Sequence, residues 1–192
     1  MIHRAPSLAR SLSPIELTAL GIVWKRGPCT VYALMREFGE STSSYYSSRT
    51  GTIYPLVDRL CKGGLLEWTG AGKERRIRIT AQGNRRLTNW LKDPIPVADI
   101  AHTADLVRLR AFYLATISPV EREQFVQSAL AQLQEHLQVC RRSAQRDSEL
   151  GDPFSALASE GAIYETEARI RWLEATRDRL IALPGIKPKR RK

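Results

Sequence analysis

The side chains of this chain that could do chemistry are hydrogen-bond donors and cations in two short stretches. The first begins at the start of a predicted helix and presents Ser48, Arg49, Thr50, Thr52 and Tyr54. The second lies in a predicted turn and presents Lys73, Arg75 and Arg76. A guanidinium can donate two hydrogen bonds to a guanine edge, while hydroxyl groups and lysines can reach bases or phosphates. These residue types predict recognition of a nucleic acid, without bond making or breaking.

Nothing in the sequence has the pattern of a catalytic or metal site. His3, His102 and His136 stand apart and match no metal-ligand spacing and no nucleophile–base pair. There is no glycine-rich phosphate loop. The three cysteines are far apart and odd in number, which favours buried thiols over a disulfide framework. We expect no enzymatic activity, no cofactor and no metal.

Positive charge is concentrated at the front of the chain, whose 192 residues carry a net charge of +10. Residues 1–92 hold 15 Lys and Arg against 6 Asp and Glu, a net charge of +9. Residues 93–186 hold 10 against 14, a net charge of −4, and the basic tail 187–192 adds five positive charges. This split predicts a module that faces nucleic acid and one that does not. Charge alone leaves a merely solvated basic face open as the alternative.

The hydropathy of the chain predicts a protein without a membrane partner. No run approaches the roughly 18 apolar residues of a membrane span. Residues 1–13 lack the apolar stretch of a secretory signal. We therefore expect a cytoplasmic protein.

Start and stop signals define three helices before residue 64. Ser13-Pro14 opens the first and Gly27-Pro28 ends it, while Thr30 caps a second that ends at Gly39. The polar stretch 41–48 predicts a loop. A third helix is expected over about residues 49–62, with Pro55 tolerable only near its first turn.

After Gly64 the apolar period changes from that of a helix to that of a strand. Leu65, Leu66 and Trp68 predict one short strand, and the alternation over residues 75–79 predicts a second. Residues 70–73 form the flexible basic turn between them. Thr80 then caps a fourth helix that reaches Leu91.

The proline-containing segment 93–97 is the predicted linker, and residues 98–186 are predicted to be nearly all helix. One helix is expected over about 98–116, a second from Ser118 to about Ser148, and a last over about 154–182. Apolar residues at alternating three- and four-residue spacing give the last helix a coiled-coil-like seam of Ile163, Thr166, Ile170, Leu173 and Leu180. We expect this region to mediate dimerisation, ahead of the basic tail 187–192.

The order of the elements predicts a mainly α fold with a small β-hairpin wing: a winged helix-turn-helix, followed by an all-helical dimerisation region. In this fold the third helix enters the major groove and turns its N-terminal side chains toward base edges. The free amides of a helix N-terminus also favour phosphate. The hairpin tip reaches the neighbouring backbone, which positions the protein without specifying sequence.

The stretch from residue 48 to 66 resembles the recognition-helix signature of PadR-like transcriptional regulators, through Gly51-Thr52-Ile53-Tyr54-Pro55, Arg59-Leu60 and Gly64-Leu65-Leu66. Thr80-Ala81-Gln82-Gly83 resembles the family's Thr-x-x-Gly motif, and residues 13–21 resemble its first helix. The family often has His-Gly-Tyr where this chain has Thr30-Val31-Tyr32. Only Tyr32 therefore carries over from that motif as a DNA-binding candidate.

The resemblance implies a homodimeric bacterial repressor that binds double-stranded DNA at a palindromic operator and releases it on binding an effector. We expect a small aromatic or amphipathic effector between the fourth helix and the C-terminal helices, near Trp90 and Trp172. Core packing is the alternative for both tryptophans. For the whole chain, the alternative is a winged-helix protein-interaction module without specific DNA binding.

Overall fold

The structure, a computed structural model, describes residues 11–101 and 105–184, which divide into two compact units between Ile95 and Pro96. In the N-terminal unit, helices and strands follow in the order α1 (Pro14–Arg26), α2 (Val31–Gly39), α3 (Ser44–Ser47), α4 (Ile53–Lys62), β1 (Leu66–Thr69), β2 (Arg76–Ile79) and α5 (Ala81–Lys92). The predicted fold class, a winged helix-turn-helix followed by helices, is confirmed.

The helices of the N-terminal unit begin where capping side chains satisfy their free amides. The Ser13 hydroxyl accepts from the Glu16 amide, and the Glu16 carboxylate accepts from the Ser13 amide in return. The Thr30 hydroxyl accepts from the Ala33 amide at the start of α2. These caps confirm the predicted helix starts.

The wing is an antiparallel hairpin in which Trp68 pairs with Ile77 and Glu67 with Arg78. Its second strand is also bonded to the segment between α1 and α2. The Cys29 amide donates to the Ile77 carbonyl at 3.1 Å, and the Ile77 amide donates to the Cys29 carbonyl at 2.8 Å. The wing therefore has a fixed base and a free tip.

One apolar core holds α1, α2, α4 and the hairpin together. Its most buried side chains come from all four elements and include Leu20, Val23, Leu34, Phe38, Ile53, Val57, Leu66 and Ile77. The inward residues of α4 repeat at helical spacing, as the sequence predicts, so its opposite face is left to solvent.

The Thr-x-x-Gly motif joins α5 to the hairpin. The Thr80 hydroxyl accepts from the Gly83 amide at 3.0 Å and donates to the Gly64 carbonyl at 2.6 Å. A Cβ atom on Gly83 would lie 2.1 Å from the Leu65 carbonyl oxygen, so only glycine permits this close approach. The motif is thus explained by packing of the scaffold.

The C-terminal unit contains α6 (Val97–Ala101), α7 (Leu106–Ala111), α8 (Pro119–Glu149) and α9 (Pro153–Ala182). The long helices α8 and α9 pack along each other through Ala129, Leu133, Leu137, Ile170 and Leu173. A capping box of Ser118 and Glu121 starts α8, as predicted. Gly151, at a φ of 70°, lies in the turn between the two helices.

Several predicted elements are wrong in detail. The loop expected over residues 41–48 contains the short helix α3, and the third helix begins at Ile53 after a 3-10 turn, Thr50–Thr52, rather than at Arg49. The single helix expected over residues 98–116 is divided. Asp105 starts α7 anew by accepting the amides of Val107 and Arg108, and a separate 3-10 turn spans Leu114–Thr116.

The seam of the last helix packs within the chain. Thr166, Ile170 and Leu173 are buried, the last two against α8, and Leu180 is partly buried. Much of this seam is therefore covered within one chain, and dimerisation of the region stays a prediction.

The cysteine thiols are free, and Cys29 and Cys140 are buried. Burial raises the pKa of the Cys29 and Cys61 thiols, so both stay protonated at neutral pH. Within residues 11–101 and 105–184, no helix combines the length and apolarity needed to cross a membrane. The histidines at 3 and 102 and the basic tail lie outside the described residues.

Candidate nucleic-acid interface

The start of α4 forms an exposed, polar rim on the N-terminal unit. Arg49, Thr52 and Tyr54 are exposed there, whereas the adjoining Ile53 is fully buried and anchors the helix in the core. Pro55 is the third residue of α4, where a backbone amide has no partner within the helix. The proline therefore costs no helical hydrogen bond at this position.

A chain of aromatic rings supports Arg49. Its guanidinium carbon lies 4.8 Å from the centre of the Tyr45 ring, and Tyr45 contacts Tyr46 edge to face at 5.0 Å. Tyr46 in turn meets the buried Phe38 ring, with centroids 6.2 Å apart. The rings connect Arg49 to the core, which restricts the positions its long side chain can take.

The hydroxyl groups of this rim differ in what they can offer a ligand. The Ser48 hydroxyl donates to the Ser44 carbonyl at 2.6 Å, and the Thr52 hydroxyl donates to the Arg49 carbonyl at 2.8 Å. Both oxygens can then only accept a further hydrogen bond. Thr50 is half-buried with its methyl group beside Gly39, so it is the least available of the predicted set.

Two tyrosines extend the rim onto the scaffold. Tyr32 in the first turn of α2 is 62% exposed, and Tyr54 in the first turn of α4 is 57% exposed. Large aromatic side chains this open do not contribute to the core. Both therefore keep a free phenol ring and hydroxyl, as their predicted role requires.

The wing cations are held in different ways. Arg75 lies over the Trp68 ring at 3.7 Å, and Lys73 is exposed at the turn. One nitrogen of Arg76 donates to the Lys73 and Arg75 carbonyls at 3.1 and 3.2 Å. Arg78 instead pairs with Glu67 across the hairpin through two donors at 2.8 and 3.0 Å. Arg78 is therefore paired across the hairpin, while Lys73 and Arg75 present charge outward.

We predict that alanine at both Lys73 and Arg75 weakens binding to DNA of any sequence and lowers the slope of log affinity against log salt by about 2 for each protomer bound. Each phosphate contact releases close to one counterion, so two lost contacts remove about two. Fluorescence anisotropy over a salt series measures the slope. Arg78→Ala is the matched control, since Glu67 already pairs with it, and should change the slope less. An unchanged slope in the double variant would place the wing away from DNA.

The sequence missed the residues that position this rim. The Tyr45 ring lies against Arg49, and the Trp68 ring lies against Arg75. Tyr45 also contacts Tyr46, and the sequence predicted both tyrosines only as part of a loop. The spacing of Tyr45 and Arg49, four residues apart, was the available signal. The predicted effector residues lie in different units: Trp90 is half-exposed near the end of α5, and Trp172 packs partly buried beside the α8–α9 core.

A basic wing beside an exposed recognition helix defines a winged helix-turn-helix DNA-binding protein. Residues 19–89 match the Transcriptional regulator PadR-like family, and residues 105–180 match a family described as Virulence activator alpha C-term. The N-terminal unit therefore carries a PadR-like domain, and the chain is a DNA-binding transcriptional regulator. Since this family consists of regulators, the prediction that the chain is not an enzyme is confirmed.

Solved structures share this fold at low sequence identity. Bacillus subtilis PadR in complex with operator DNA is 20% identical, with a TM-score of 0.73 over 89% of this chain and 99% of that one. The same protein in complex with p-coumaric acid is 19% identical, with a TM-score of 0.71 over 86% of this chain and 98% of that one. The Vibrio cholerae virulence activator AphA is 17% identical, with a TM-score of 0.57 over 88% of this chain and 98% of that one. A search of curated proteins finds no match.

Proposed function

We propose that this regulator is a homodimeric repressor that reads a palindromic operator and is released by a small-molecule effector. The observation that carries the proposal is the exposed segment at the start of α4. There the Tyr45 ring supports the Arg49 guanidinium, which remains exposed for contact with a base. Ser48, Thr50, Thr52, Tyr54 and Tyr32 complete the recognition surface, and Lys73, Arg75 and Arg76 hold the adjacent backbone.

The test of sequence-specific binding is a gel shift with DNA from upstream of the chain's own gene. We expect binding at least about a thousandfold tighter than to random duplex of equal length. A reporter under that promoter should be less active when the protein is present, and an increase would assign activation instead. Equal affinity for random DNA would favour the alternative, a winged helix that docks protein.

Dimerisation is assigned to the face of α9 that the seam leaves free. Phe154, Leu157 and Tyr164 are 82%, 64% and 65% exposed and lie at positions i, i+3 and i+10 of the helix, opposite the buried seam. An apolar stripe of this kind is typical of a subunit interface. Two copies are also needed to span the two halves of a palindrome.

Leu157→Glu should convert the dimer to a monomer in sedimentation at micromolar concentration and reduce operator affinity. The added carboxylate would be buried without a partner in the interface. Gln138→Glu adds the same charge at an exposed position of α8, away from that stripe, and should leave the dimer intact. A monomeric wild-type protein would contradict the assignment.

Effector release is supported by a relative that binds p-coumaric acid and by the exposed aromatic side chains of this chain. A ligand near Trp90 or Trp172 should quench tryptophan fluorescence at concentrations that also release DNA. Loss of the quenching in a Trp90→Phe or Trp172→Phe variant identifies which ring is near the ligand. Quenching without release would separate binding from regulation.

A further inference from the structure

The C-terminal unit contains a groove between α7, α8 and α9 with a volume of about 330 Å³. This volume lies within the range of small-molecule sites. Its apolar walls come from Leu106, Val107, Phe125 and Leu133. Such a groove accommodates the body of an aromatic or short aliphatic molecule.

The polar side of the groove carries two guanidinium groups. Arg110 and Arg169 line it together with Ser128, Gln132 and His136, and no carboxylate side chain lines it among the described residues. Opposing walls that combine two guanidinium groups with apolar surface match a molecule that has one anionic end and one apolar end.

Arg169 has a donor left over. One of its terminal nitrogens donates to Asp105 at 2.8 Å, and Asp105 is itself fixed by the Val107 and Arg108 amides. The Nε of Arg169 is buried, yet finds no hydrogen-bond partner in the described part of the chain. A buried donor without a partner costs free energy, so the hydrogen-bonding capacity of this guanidinium is not fully used within the described chain.

We propose that this groove binds an amphipathic organic carboxylate. The carboxylate pairs with Arg110 and Arg169, and the apolar body lies against Phe125, Leu106 and Leu133. The inference rests on the proposed release by an effector, gives that effector a charge, and moves its site from Trp90 and Trp172, which do not line the groove, to this groove in the C-terminal unit.

The test is titration calorimetry on the full chain with p-coumarate, octanoate and the neutral 4-vinylphenol and octanol. We expect p-coumarate or octanoate to bind at least about tenfold tighter than its neutral counterpart. Which of the two anions binds shows whether the apolar body of the ligand is aromatic or aliphatic. Arg110→Gln should weaken binding about tenfold, as expected for one lost ionic contact. Arg142→Gln, on α8 outside the groove, should not.

A second pair of variants tests the cavity itself. Gln132→Trp fills the groove and should abolish binding, whereas Gln134→Trp adds the same ring to α8 outside the groove and should leave binding intact. Circular dichroism melts confirm that each variant is folded.

The outcomes separate this inference from the proposed function. DNA release that persists in Arg110→Gln and Gln132→Trp would overturn the groove site while effector regulation stands. Failure of every probe to bind at millimolar concentration would also overturn it. A change of sedimentation in Gln132→Trp with unchanged ligand affinity would show that a second copy covers the groove. Carboxylate binding that both variants weaken, without effect on DNA, would keep the site and remove its regulatory role.

Discussion

Replacement of Arg49 by alanine is expected to lower operator affinity about a hundredfold and to relax base preference at one position in each half-site. A bidentate contact to guanine contributes about 1–3 kcal/mol, and a two-fold dimer loses it twice. Each loss of about 1.4 kcal/mol is a factor of ten. Titrations against operator variants in which that base pair is changed measure both effects.

Arg142→Ala removes the same charge from an exposed position of α8 and serves as the control. Tyr45→Leu tests the support of Arg49 separately, because it removes the ring under the guanidinium but leaves the arginine in place. We expect a loss of a few fold in this variant, about what one exposed cation–π contact contributes. If Arg49→Ala binds the operator as tightly and as selectively as the wild type, the base contact belongs to another residue.

The N-terminal unit could be predicted because local signals and the fold agree there. Ser13, Thr30 and Thr80 each cap a helix through their own side chain, and the apolar period changes at the hairpin. The helix α3 could not be predicted, because its serines favour a loop by local preference. Its helical turn is held by the contact of Tyr46 with Phe38, which comes from elsewhere in the chain.

Side-chain partners across the fold were the other feature that the sequence could not predict. Arg75 and Arg78 have similar sequence surroundings, yet one stacks on Trp68 while the other pairs with Glu67. In the same way, α9 has two apolar faces, and its sequence does not say which one α8 covers. The structure shows that Ile170 and Leu173 face α8, so the stripe that contains Leu157 is the apolar face of α9 that stays exposed.

Arg122 is the clearest case of a residue whose role appears only in the structure. Its side chain, in the first turn of α8, is 2% exposed. Its Nε donates to the Leu114 and Ile117 carbonyls at 2.9 and 3.2 Å, and another nitrogen donates to the Leu183 carbonyl just beyond α9. It therefore joins the start of α8 to the end of α9, where a positive charge also complements the helix dipole.

Arg122→Met is expected to lower the free energy of unfolding by about 4 kcal/mol, because it removes the donors of three carbonyls at a largely buried site. For a chain of this length that corresponds to a fall in Tm of about 10 °C, measured by circular dichroism at fixed protein concentration. Arg122→Lys keeps the charge but not the planar guanidinium with its several donors, and it should lose less stability than Arg122→Met. Arg142→Met, at an exposed position of α8, should lose little. If Arg122→Met melts with the wild type, water replaces the arginine at these carbonyls, and the packing of Ala129, Leu133 and Leu137 on α9 suffices to hold the two long helices together.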